Sequence, residues 1–151
     1  MPHTASAIDL PDVNVWLALA APTHVHHAPA QAYWTGAASP QLGFTRISML
    51  GLTRLVTNPR AMSGRPLSLN QAWAIYQSFR RLPEVIWLDE DQTIAHEMDQ
   101  LLQRWTGAGV FNASHWTDAS LAAAAVSHGA RLVSFDHDFS RFPTLDFLHL
   151  V

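Results

Sequence analysis

Between residues 7 and 19 the hydrophobic pattern changes period. A short apolar run from Ile8 to Leu10 reaches Pro11 and Asp12, after which Val13, Val15, Trp16 and Leu19 take up helical spacing. Asp12 therefore falls where a strand hands over to a helix. An acid there can serve as a helix N-cap, or can point into the crevice beyond the strand ends, where open α/β sheets bind their ligands. Further along, a helix is expected from about Ala28 to Trp34, a turn over Gly36 to Pro40 and a short strand at Leu42 to Phe44. From Arg46 a helical stripe of Ile47, Leu50, Leu52, Leu55 and Val56, with Thr45 as its cap, stops before Asn58-Pro59. After a loop from Pro59 to Pro66, Ser68 caps a helix carrying Ala72, Trp73, Ile75, Tyr76 and Phe79, closed by Arg80, Arg81 and Pro83. Val85 to Leu88 reads as another inner strand, followed by Asp89-Glu90-Asp91 and a helix over Thr93 to Trp105. That acidic trio suits the first turn of the helix behind it and is taken as structural. A Gly-containing loop, Thr106 to Ala113, leads to a strong helix from His115 to His128 that ends at Gly129 and places Asp118 in its first turn. The strand Arg131 to Phe135 runs into Asp136-His137-Asp138, and Phe147 to Val151 can add an edge strand.

Strands too far apart for hairpins, separated by helices, predict an α/β fold: three layers, with a central parallel sheet between helices. Right-handed crossovers then bring the carboxyl ends of the strands to one rim. Asp9 in an inner strand needs a partner, and Pro11 lacks a ladder donor, so the first strand is expected to stop at Leu10. The 151 residues, 48% of them hydrophobic, suit a single domain over 1–151. With no cysteine, disulfides and thiolate metal sites are excluded. No apolar run is long enough to span a bilayer and the first residues lack a signal pattern, so a cytoplasmic protein is expected. A net charge of −3 is not the footprint of a domain that coats a phosphate backbone. All nine basic residues are Arg, so any nucleic acid would be gripped locally.

Topology should gather Asp12, Asp118, Asp136 and Asp138 at one crevice. Carboxylates held that close raise one another's pKa unless a hard divalent cation neutralises them. Mg²⁺ (or Mn²⁺) suits such an oxygen-only site, with Asp12, Asp118 and Asp136 as ligands. The chemistry that follows is phosphodiester hydrolysis, since an ion of this kind lowers the pKa of bound water and offsets charge on a scissile phosphate. No P-loop, Rossmann glycine pattern or Ser-His pair suggests another route. His24, His26 and His27 lie close together, but a polar helix start turns them to water instead of converging them on an ion. Asn14 supports the first helix turn or the metal site. Arg46 and Arg54, four residues either side of Leu50, are candidates for contacting a phosphate or a carboxylate.

At these residues the sequence resembles the PIN-domain family, in particular the VapC-type ribonuclease toxins of toxin–antitoxin pairs. The resemblance rests on Asp12-Val-Asn-Val-Trp-Leu-Ala-Leu, Thr-His-Val-His-His, Gly51-Leu-Thr-Arg-Leu-Val-Thr-Asn-Pro59, Thr117-Asp118-Ala119 and Leu-Val-Ser-Phe-Asp136-His-Asp138-Phe139, in that order. It implies a metal-dependent endoribonuclease with an RNA substrate, a likeness to homodimers, and a cognate VapB-like antitoxin whose C-terminal segment occupies the groove. Asp12 and Asp118 match the family's principal metal-binding acids, Asp136 the next, and Asp138 one found in many members. One departure stands out: Gly51 occupies the place where members commonly carry Glu. A catalytically silent PIN-like module acting through protein binding is the alternative that this departure supports.

Overall fold

The computed structural model describes residues 6–104 and 112–151. Five strands, β1 (Ile8–Pro11), β2 (Gln41–Phe44), β3 (Val85–Trp87), β4 (Arg131–Ser134) and β5 (Phe147–His149), form one sheet in the order β3-β2-β1-β4-β5. Every pairing is parallel. Six α-helices fill the connections: α1 (Val13–Ala20), α2 (His27–Gly36), α3 (Arg46–Val56), α4 (Leu69–Arg80), α5 (Thr93–Gln103) and α6 (Ala113–Ser127). A 3₁₀ turn, His137–Arg141, follows β4.

The layers follow from alternation along the strands. Leu10 and Leu132 face α5 and α6, whose Leu101, Leu121 and run of alanines from Ala122 to Ala125 complete one core. Val133, Leu42, Phe44 and Val85 face α1 to α4, where Trp16 stacks on Phe44 with ring centroids 3.9 Å apart. The alanine run lets α6 lie close to the sheet. Among the described residues no helix is long and apolar enough to cross a membrane.

Caps fix most helix starts where the sequence places them. Thr45 with Ser48, and Ser68 with Gln71, form reciprocal capping boxes. Four expectations need correction. β1 continues to Pro11: its register with β2 ends at Asp9↔Leu42, so the missing proline donor is not needed there, while Asp12 N–H donates to Val133 O at 2.8 Å. β4 stops at Ser134, because Ser134 Oγ accepts from Asp136 N–H and turns the chain. α6 starts at Ala113, capped by Asn112, so Asp118 sits in its second turn. There the free amides of the helix start are no longer available to it. Trp105 and most of the expected loop over 106–113 lie outside the described residues.

The β1–β4 pair is fastened at both ends. At the amino end buried Asp9 receives the Arg131 guanidinium (2.9 and 3.0 Å), Tyr33 Oη (2.6 Å), and both the Oγ and N–H of Ser39. Burial would raise the Asp9 pKa, but these donors outweigh it and hold the carboxyl below its ordinary value. Asp9 thus has the partner it requires.

Candidate metal centre

At the carboxyl end of the same two strands the chemistry gathers. Asp12 is the N-cap of α1: Oδ1 accepts from Val13 N–H at 2.7 Å, and Oδ2 accepts from Ser134 Oγ at 2.8 Å. The N-cap role is what the structure shows for Asp12, and each carboxylate oxygen keeps a further lone pair beyond these bonds. Ser134 is fully buried and serves three neighbours: it donates to Asp12 and accepts from Asn14 Nδ2 (3.1 Å) and Asp136 N–H (2.9 Å). Asn14 Oδ1 also accepts the Phe135 N–H at 3.3 Å. Asn14 therefore supports the end of β4. Asp136 Oδ1 then caps the 3₁₀ turn by accepting from Asp138 N–H at 3.0 Å.

Asp118 reaches this cluster from α6. Burial, then the charges of Asp12, Asp136 and Asp138, push its carboxyl up to about 7. Asp12 is also raised, by burial first and by Asp136 in addition, although Ser134 and Val13 oppose the shift. Four aspartates from three separate segments thus act on one another. The carboxylates of Asp136 and Asp138 and the His137 imidazole have ligand atoms within 4.8 Å of one another. Arg141 Nη2 stands 3.6 Å from Asp138. An oxygen-only set under this mutual repulsion fits a hard divalent cation, which offsets the charge that burial makes costly.

The other predicted contacts do not join it. Arg46 shares a small hollow with Trp87, Asp89 and Glu90 beyond β3, while Arg54 borders an apolar groove of about 610 Å³ between α3 and α4. Asp89 and Asp91 are used locally, accepting from Trp87 Nε1 and from Thr93, although α5 starts at Thr93 and the acidic trio precedes its first turn instead of lying in it. Gly51 faces α1 closely: a Cβ there would lie 2.5 Å from Val13 Cγ2. The side chain of Val13, next to Asp12, takes the space that any residue-51 side chain would enter.

Sequence reasoning missed Ser134. A serine ending an apolar strand carries no local signal, and its partner Asp12 is 122 residues away.

Comparison with known proteins agrees with this arrangement. The profile of the family described as PIN domain matches residues 10–145. Ribonuclease VapC41 of Mycobacterium tuberculosis is 34% identical over 140 residues, covering 87% of this chain and 90% of the relative. Ribonuclease VapC37 of the same species is 33% identical over 134 residues, covering 87% and 89%. Among solved structures, VapBC2 from Rickettsia felis bound to a DNA fragment from their promoter superimposes with a TM-score of 0.68 at 14% identity, covering 95% of this chain and 99% of that one. The chain belongs to the PIN-domain family, among the VapC ribonucleases.

Proposed function

We propose that this protein is a metal-dependent endoribonuclease toxin that hydrolyses RNA phosphodiester bonds and is neutralised by a cognate VapB-like antitoxin. The observation that carries the reading is the mutual charging of Asp12, Asp118, Asp136 and Asp138 at one rim of the sheet. Asp12, Asp118 and Asp136 are the residues we assign to Mg²⁺ or Mn²⁺, with Asp138 completing the acidic wall. When bound, such an ion supplies an activated water and offsets charge on the scissile phosphate. The protein's own part is positioning: Ser134 and the α1 amide fix the Asp12 carboxylate, and the 3₁₀ cap orients Asp136. Asp118, pushed up to about 7, holds a proton near neutral pH until a cation displaces it. Arg46 and Arg54 we assign to contacts with RNA phosphate or an antitoxin carboxylate, each of which a guanidinium binds in a bidentate manner.

Replacing Asp12 or Asp118 by Asn is expected to abolish RNA cleavage and growth arrest while circular dichroism stays native. Retained cleavage in both variants would overturn the assignment. The second reading, a silent binding module, is favoured by Gly51 and the Val13 contact that closes α3 against α1. Calorimetric titration separates the two: Mn²⁺ uptake lost in Asp118→Asn supports the nuclease, and no uptake by the unaltered protein, with or without RNA, supports the silent module.

A further inference from the structure

The segment His24 to His27 plays no part in the proposed chemistry, yet all three of its histidines are engaged. His24 Nδ1 accepts the His26 N–H at 3.1 Å, and His27 Nδ1 donates to Ala18 O at 2.7 Å. The second bond fastens the α1–α2 connection to the end of α1, and the first folds that connection on itself. His26 is thereby held with its ring parallel to that of Phe135: centroids are 4.2 Å apart and the planes 13° from coplanar. Phe135 is the residue between Ser134 and Asp136.

The rest of Phe135 is fixed as well. Its N–H donates to Asn14 Oδ1 from α1, and its carbonyl accepts from His149 Nε2 of β5 at 3.1 Å. Amide, carbonyl and ring are thus held from three different elements. Stacking on His26 adds to the packing of the Phe135 ring against the core and, through the ring, to the setting of the segment that leaves β4. The 3₁₀ turn that follows is capped by Asp136 and carries Asp138, and it is too short to set its own direction.

We propose that His26 is a positioning residue for the metal centre: its imidazole, stacked on Phe135, sets the orientation of the Ser134–Asp138 segment that presents Asp136 and Asp138. The role is one of shape, carried by the ring face, and needs neither imidazole nitrogen. It rests on the reading of Asp136 as a metal ligand only for its effect on affinity; the effect on the segment itself is independent of any ion.

Two measurements on the full chain test this. In metal-free protein, amide hydrogen exchange at Phe135 and Asp136 should quicken by about three- to tenfold in His26→Ala, the range expected from losing an aromatic pair. Mn²⁺ affinity, read by calorimetry, should fall by a similar factor. His26→Phe, which keeps a stacking face and discards the nitrogens, should stay within about twofold of the unaltered protein in both, and its thermal unfolding serves as the folding control. Unchanged exchange in His26→Ala overturns the proposal. So does a His26→Phe variant that exchanges and binds as poorly as His26→Ala, since the nitrogens would then carry the effect. If Asp118→Asn loses Mn²⁺ and His26→Ala does not, the metal centre stands and the positioning role falls. If the unaltered protein takes up no Mn²⁺, the nuclease reading falls while the exchange result still decides the role of His26.

Discussion

A carboxyl group whose pKa lies near 7 makes Asp118 a reporter of its own surroundings. Burial and three neighbouring aspartates disfavour its charged form in the folded chain, whereas the unfolded chain ionises it near the ordinary value of about 3.9. Ionising this group therefore weakens the metal-free fold as pH rises from about 4 to about 7, and the full loss is reached above that window. In chelator, Asp118→Asn should melt higher than the unaltered protein at pH 8, and by a clearly smaller margin at pH 5. Saturating Mn²⁺ should reverse the order at pH 8, because only the unaltered protein gains from the ion. A variant that melts lower at pH 8 without metal would show that the four charges do not repel as described. Asp12, Asp136 and Asp138 were legible at this scale because each follows an apolar strand or opens the turn behind one. Ser134 and His26 were not, since what gives each its place is a contact more than a hundred residues distant.

At the scale of elements, α1 and α3 meet through Gly51 and Val13. Glycine in a helix interior costs about 1 kcal/mol relative to alanine, and here close approach explains its presence, with Val13 Cγ2 only 2.5 Å from where a Cβ would be. A β-branched neighbour in a helix has little rotamer freedom with which to retreat. Gly51→Ala is accordingly expected to destabilise the fold by about 1–3 kcal/mol in denaturant unfolding. Gly51→Ala with Val13→Ala should recover part of that loss. Full additivity of the two changes would show that these side chains do not compete for the same space. The same contact bears on the departure from the family pattern: an acid at position 51 would first have to displace Val13. Periodicity revealed nearly every helix and strand, because each buries one regular face. It placed the start of α6 two residues late, since Ala113 and Ser114 precede the apolar stripe and the cap at Asn112 declares itself only through its bonds. The 3₁₀ turn after β4, being a single short turn, left no period to find.

For the molecule as a whole, stability and chemistry depend on the same pair of strands. The Asp9–Arg131 bridge joins the first residues of their register, and the Asp12–Ser134 bond joins the ends. Asp9 is fully buried, so Asp9→Asn leaves a guanidinium without its charge partner and should cost about 3–5 kcal/mol in urea unfolding. Because the folded Asp9 carboxyl lies below its ordinary value, its contribution is complete above about pH 4 and disappears as pH falls through the folded value. Acid unfolding of the unaltered protein should show that dependence, and Asp9→Asn should lack it. An Asn variant as stable as the parent would mean that the bridge does not hold the strands together.

A parallel β1–β4 ladder whose partners stand 122 residues apart has a consequence for the chain as it is made. Asp118, Ser134 and Asp136 each follow Asp12 by more than a hundred residues. Pairing at such separation forms slowly and late. A chain that stops short of β4 therefore cannot assemble the acidic cluster, whatever the state of β1.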